Sequence, residues 1–217
     1  MDNKRTSEDV RSAFGYMFPD ELSALKSIVR SLPPDPVVIN IGAGSGTSGL
    51  AILESRDDVT LHTIDITEED SPFGCLYAER VEVAAAGLYN LKGDRWFQHH
   101  GDSKEIGRSW LTLVDFVFID GDHTYDGCRG DIEIWMNHLK PGGLMAIHDY
   151  KKADIPKELL DRKDTPHPKS FDDTIDQAVA DVLIGQYKQH SHVDSMIVFI
   201  NEQIETKPER KPGKRSV

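Results

Sequence analysis

Cysteine is scarce in this 217-residue chain, with only Cys75 and Cys128 present. Two thiols so far apart match neither a disulfide framework nor a metal-ligand spacing, and they predict buried thiols in a reducing compartment. Long apolar runs are missing as well. The longest run drawn from Ala, Val, Ile, Leu, Met and Phe is Met196–Ile200, far short of the ~20 residues a membrane helix needs. The stretch Met1–Val10 holds no apolar core of an export signal, so a cytoplasmic location is expected. Basic residues are outnumbered, 25 Lys+Arg against 37 Asp+Glu, for a net charge of −12. That balance argues against a general nucleic-acid binder, which needs basic surface. The sequence carries no internal repeat, and its length suits one α/β domain rather than two.

What is present alternates between two periods. Phe14, Phe18, Leu22, Leu25, Val29 and Leu32 recur at helical steps of three and four. Pro19-Asp20 opens that helix, and Pro33-Pro34 closes it. The run Val37–Ile41 reads as a buried strand, Gly42–Gly46 as a glycine loop and Thr47–Arg56 as a short helix. Further strands are expected at Val59–Ile64, Trp96–His100, Val114–Ile119 and Gly143–Ile147, with helices over Cys75–Asn90 and from Tyr125 through Leu139 to a stop at Pro141-Gly142. Lys151–Ser170 is rich in proline and charge and reads as a mobile loop, poised to act as a lid. Ile175, Val179 and Val182 mark a last helix, and Tyr187–His192 with Met196–Ile200 a terminal hairpin. The pattern predicts one doubly wound, mostly parallel α/β sheet over residues 11–201, with helices on both faces. Residues 1–10 and 202–217 are expected to be flexible.

Ligands in such sheets bind at the carboxyl ends of the strands. Five successive strand ends carry glycine or acid: Gly42–Gly46, Asp65, Asp102, Asp120 and His148-Asp149. The segment Ile41–Gly49 reads IGAGSGTSG. Glycines there let a ligand approach the backbone, and the following helix start favours negative charge. A dinucleotide fingerprint would want glycine where Thr47 stands, which argues against a nicotinamide-dependent oxidoreductase. Asp65 suits a ribose diol or a helix cap. Asp102 and Ser103 suit an adenine amine or, equally, the cap of the next helix.

The segment Phe118–Tyr150 carries Asp-Gly-Asp-His-x-Tyr, then Asp131, Trp135, Pro141-Gly142-Gly143 and His148-Asp149. With Ile39–Gly49, it resembles the class I S-adenosylmethionine-dependent methyltransferases, in particular O-methyltransferases that modify sugars and natural products. The resemblance implies a Rossmann-like seven-stranded sheet of order 3-2-1-4-5-7-6, strand 7 antiparallel. It implies S-adenosylmethionine as donor and a small-molecule hydroxyl as acceptor, with no nucleic-acid or membrane partner. A homodimer is common for such folds. It also implies Gly42, Gly44, Ser45 and Gly46 near the methionine moiety, Asp65 on the ribose, and Asp102 and Ser103 near the adenine. Asn40 stands where many relatives have an acid touching the cofactor's amino group.

Some relatives hold a divalent metal at positions matching Asp120, His148 and Asp149. Asp or Glu is usual where His148 stands. Imidazole suits manganese, iron or zinc at least as well as magnesium. The metal site and a metal-free account, with Asp120 on the cofactor's ammonium, both stay open at this point. The resemblance offers His123 or Asp122 as the base, and the near-neutral pKa of imidazole favours His123. A non-catalytic nucleoside-binding protein is the remaining alternative, since it would keep the strand-end acids without needing His123 or Asp149.

Overall fold

The computed structural model describes residues 6–14, 17–44, 46–66, 95–151 and 174–203. Its elements, in order, are α1 (Ser7–Phe14), α2 (Pro19–Ser31), β1 (Val37–Ile41), α3 (Thr47–Ser55), β2 (Thr60–Asp65), β3 (Trp96–His100) and α4 (Ser103–Ser109). Then follow β4 (Val114–Ile119), α5 (Tyr125–Met136), β5 (Leu139–Ile147), α6 (Thr174–Val182), β6 (Tyr187–Val193) and β7 (Met196–Gln203). The seven strands form one sheet of order β3-β2-β1-β4-β5-β7-β6. The first five run parallel. β7 runs antiparallel to both β5 and β6. This is the order and the antiparallel strand that the resemblance implied.

The residues of β4 explain its central place. All six are buried, as expected for a strand covered on both faces. Phe116 and Phe118 point to a core layer shared with Leu25, Val29, Leu50 and Ile52 of α2 and α3. Val117 and Ile119 point to the opposite layer, with Ile132 and Trp135 of α5 and Val179 of α6. Each such side chain contributes about 1.5–3 kcal/mol by burial. The one acid in β4, Asp115, is buried and satisfied, accepting from Val37 N at 2.9 Å and from Lys140 Nζ at 2.8 Å. Cys128 is buried as expected, and burial pushes its thiol up to about 12.

Several expectations need correction. The stretch 1–10 is not flexible throughout, because α1 starts at Ser7. Glu54 of α3 accepts from Ser7 N at 2.8 Å and from Ser7 Oγ at 2.6 Å, which satisfies the helix start, and Val10 is buried. The helix expected to run through Leu139 ends at Met136. Leu139 already belongs to β5, opposite Val114, and Pro141-Gly142 lies inside that strand beside a register shift. The apolar step from Trp135 to Leu139 therefore crosses from helix to strand. β7 also continues into residues 202 and 203, which were expected in the flexible tail. The expected helix over Cys75–Asn90, nearly all of the expected lid, Ser45 and the chain past Gln203 lie outside the described residues. Among the described residues, no helix is long and apolar enough to cross a membrane.

Because β1 to β5 are parallel, their carboxyl ends share one edge of the sheet. That edge gathers Gly42, Asp65, Gly101-Asp102, Asp120 and His148-Asp149.

Candidate active site

The chain leaves β1 at Gly42, which takes φ +85. Gly42 N donates to Ile64 O at 2.9 Å, and Asp120 N donates to Ile41 O at 2.9 Å. The loop is thus tied to β2 and β4 at once. A Cβ on Gly42 would lie 2.0 Å from Asp120 O, so only glycine lets these backbones approach. Gly46, at φ +83, caps α3. Asp65 closes β2 against the same loop: its Oδ2 accepts from Ala43 N at 2.9 Å and its Oδ1 from Ile66 N at 2.8 Å. Asn40 is buried beneath the loop, with Nδ2 3.5 Å from Gly42 O. Its Oδ1 is buried and finds no hydrogen-bond donor among the described residues. An unmet buried acceptor costs about 1–3 kcal/mol, so a ligand ammonium or hydroxyl would be well received there.

Asp102 caps α4, accepting from Lys104 N at 2.7 Å and Glu105 N at 3.4 Å. Of the two open readings of Asp102, the capping one therefore describes its present bonds. Ser103 is held from α5: its Oγ donates to buried Asp131, and Trp135 Nε1 donates to Ser103 O at 3.2 Å. Burial pushes the Asp131 carboxyl up to about 6, against the pull of the Ser103 bond.

The densest group of charges stands where β4 and β5 end. His148 N donates to Ile119 O at 3.0 Å, locking the two strand ends together. His148 Nδ1 then lies 3.3 Å from Asp120 Oδ1 and 3.2 Å from Asp149 Oδ1. Its Nε2 lies 3.0 Å from Oε2 of Glu21, a buried residue of α2. Asp149 takes a left-handed backbone at φ +60. His123 joins from the loop before α5, with Nε2 3.3 Å from Asp120 Oδ1 and 3.6 Å from Asp149 Oδ2. Ligand atoms of Asp120, His123 and Asp149 all fall within 4.8 Å of one another. The expected trio of Asp120, His148 and Asp149 is thus brought together with one further imidazole.

The electrostatics follow from this crowding. The hydrogen bond to Asp120 raises the His123 pKa; burial opposes, and the charges of Asp120 and Asp149 add to the rise. Burial disfavours charge on His148, but Asp120, Asp149 and Glu21 outweigh it and raise its pKa well above the ordinary value. Burial would raise the Asp120 carboxyl, but His148 and His123 hold it below the ordinary range.

Asp122 faces elsewhere. Its Oδ1 accepts from Thr124 N at 2.9 Å, and it packs on α5, where a Cβ at Gly127 would fall 2.2 Å from Asp122 Cγ. Of the two candidate bases, His123 is the one that joins the strand-end cluster. The sequence reading missed Glu21 and Ser195, whose N and Oγ donate to Glu21 Oε1 at 2.8 and 2.6 Å. An acid three residues after the N-cap hints at Glu21, because that spacing is a helix-start signal, but it predicts only the bond from Phe18 N.

A family model described as a methyltransferase domain matches residues 39–150, the span from β1 to the end of this cluster. The chain belongs to that family. A protein of Mycobacterium sp. (strain JLS) named as an O-methyltransferase is 30% identical to this chain over 129 residues, or 58% of the chain. The match covers 54% of that relative, so the chain spans about half the length of this curated relative. Among solved structures, the chain resembles the PaMTH1 methyltransferase of Podospora anserina bound to S-adenosylhomocysteine (TM-score 0.62, 18% identity, 89% of this chain and 84% of that one). It also resembles an O-methyltransferase of Bacillus cereus in complex with the same compound (TM-score 0.59, 14% identity, 89% and 86%). At these identities the likeness speaks to the fold.

Proposed function

We propose that this methyltransferase uses S-adenosylmethionine to methylate a hydroxyl of a small molecule, a sugar or natural product, with His123 as general base. The observation that carries the reading is His123 Nε2, held 3.3 Å from the Asp120 carboxylate at the end of β4, beside the glycine loop that ends β1. The donor supplies an electrophilic sulfonium methyl when bound. Asp65 would accept from its ribose hydroxyls, with Gly42, Gly44, Ser45 and Gly46 bordering its methionine part. The unmet Oδ1 of Asn40 would accept from its ammonium, and Asp102 and Ser103 would border its adenine. His123 would take the hydroxyl proton as the O–C bond forms and the methyl–sulfur bond breaks, S-adenosylhomocysteine being the leaving group, and Asp120 would stabilise the imidazolium that results. The net charge of −12 argues against a nucleic-acid acceptor and fits a cytoplasmic enzyme acting on a small molecule. Calorimetry with S-adenosylhomocysteine tests the donor. Asp65→Ala should weaken binding by about 1–3 kcal/mol, or roughly 5- to 150-fold. Binding of NAD with none of S-adenosylhomocysteine would overturn the reading in favour of an oxidoreductase.

One observation favours a second role for the same cluster. The buried Nδ1 of His148 has no well-formed hydrogen bond among the described residues, yet faces the carboxylates of Asp120 and Asp149. Those three residues would hold a divalent cation, which acidifies a bound hydroxyl. Two oxygen donors and one imidazole fit manganese, iron or zinc at least as well as magnesium. On this reading, exhaustive chelation lowers activity, manganese restores it at least as well as magnesium does, and Asp149→Ala removes the dependence with donor binding intact. Full activity in chelator leaves His123 to remove the proton unaided.

A further inference from the structure

Glu21 lies outside the matched span 39–150, on α2, and has no exposed surface. Four donors from three parts of the chain converge on its carboxylate. Oε2 takes Phe18 N at 2.8 Å and His148 Nε2 at 3.0 Å, while Oε1 takes Ser195 N at 2.8 Å and Ser195 Oγ at 2.6 Å. Burial alone would raise this carboxyl, but His148, Ser195 and Phe18 hold it below its ordinary value. Joining α2 to the β6–β7 turn needs only Phe18 and Ser195. The bond to His148 does something else. An ionised carboxylate only accepts, so the hydrogen must sit on Nε2. Whatever Nδ1 carries, the ring then has one orientation, with Nδ1 turned to Asp120 Oδ1 and Asp149 Oδ1. Those carboxylates are the two that flank His123 Nε2.

We propose that Glu21 is a positioning residue of the methyl-transfer site: it fixes His148 through Nε2, and His148 sets the Asp120–Asp149 pair that orients His123. The proposal rests on the reading of His123 as base. Asp120 and Asp149 come from different strands, so their separation depends on the group wedged between them, and an error of about 1 Å in such a site costs up to roughly 100-fold in rate.

The test takes Glu21→Gln and His148→Asn in the full chain, singly and together. Glu21→Gln should lower kcat roughly 10- to 100-fold, with the acceptor KM and the S-adenosylhomocysteine Kd changed less than about 3-fold. In the His148→Asn background it should lower kcat no further, because residues acting as one unit are not additive. Additive losses would overturn the proposal. So would a fall in Tm with kcat unchanged, since that marks a scaffold role alone. Nitrogen-15 NMR of the imidazoles gives a readout that needs neither activity nor a variant that folds. The wild-type chain should show a proton on His148 Nε2 in slow exchange with water, and a proton on Nδ1 alone would refute the proposal. If no acceptor is ever methylated, the reading of His123 fails, and the NMR result still decides whether Glu21 holds the ring.

Discussion

His123→Ala should lower kcat by roughly 10²- to 10⁴-fold, the usual contribution of a positioned general base, while S-adenosylhomocysteine binds within about 3-fold of wild type. The side chain lies across Asp120 and Asp149 rather than in the β1 loop, so its loss should spare the donor. The pH dependence gives an independent check. The Asp120 bond raises the His123 pKa above the ordinary histidine value, and a base must be unprotonated to act. The limb of kcat/KM that rises with pH should therefore fall above the ordinary histidine range and vanish in His123→Ala. For stability the sign is opposite. A raised histidine pKa adds stability that is fully present below the unfolded value and lost as pH rises through the folded one. The enzyme should thus gain activity and lose a little stability over the same pH interval. Asp122→Asn should change kcat little, since its carboxylate is spent on Thr124 N. If Asp122→Asn collapses kcat and His123→Ala does not, the base assignment is reversed.

The parts of this site that could be read from sequence are those fixed by short-range rules. A parallel strand must end in a turn at the carboxyl edge, so glycine or acid at Gly42, Asp65, Asp120 and Asp149 already placed these residues on one rim. Sheet order came from resemblance, strongest over Ile39–Gly49 and Phe118–Tyr150, because alternation alone admits several orders. Competition between local and ligand roles was harder. At Asp102 a capping carboxylate and an adenine acceptor have the same spacing; the bonds to Lys104 N and Glu105 N show the cap, and the contact with adenine stays a proposal. At Asp122 and His123, adjacent in sequence, the backbone turn sends one onto α5 and the other toward Asp120. Glu21 was out of reach for a different reason. Its partners His148 and Ser195 lie 127 and 174 positions away. No local pattern encodes a pairing that exists only once α2 has packed on the sheet. The same applies to Ser7, whose partner Glu54 lies 47 positions on, so a polar terminus read as flexible is an anchored helix start.

Gly42→Ala should abolish measurable binding of S-adenosylhomocysteine and lower stability by about 2–4 kcal/mol, near the upper end for single substitutions. Two effects combine at this position. The backbone sits at φ +85, where an L side chain is strained by roughly 1–2 kcal/mol. The added Cβ would also lie 2.0 Å from Asp120 O and 3.0 Å from Gly121 Cα. Relief requires backbone to move, and both sides are held. Gly42 N is bonded to Ile64 O and Asp120 N to Ile41 O, each at 2.9 Å. Separating the loop from the end of β4 would shift Asp120, and with it the group that aligns His123 and His148. Gly44→Ala is the matched control. Gly44 also has a positive φ, +49, but nothing lies within 4 Å of a Cβ there. It should therefore show only the conformational cost, roughly 1–2 kcal/mol, and keep the contact between β1 and β4. Thermal melts and calorimetry on the pair separate the two causes. Equal losses would mean that backbone strain alone is at work. Wild-type donor affinity in Gly42→Ala would mean that the close approach of loop and strand does not shape the cofactor platform. A deep loss confined to Gly42→Ala would tie donor binding to a point where two strand ends come too close for any side chain.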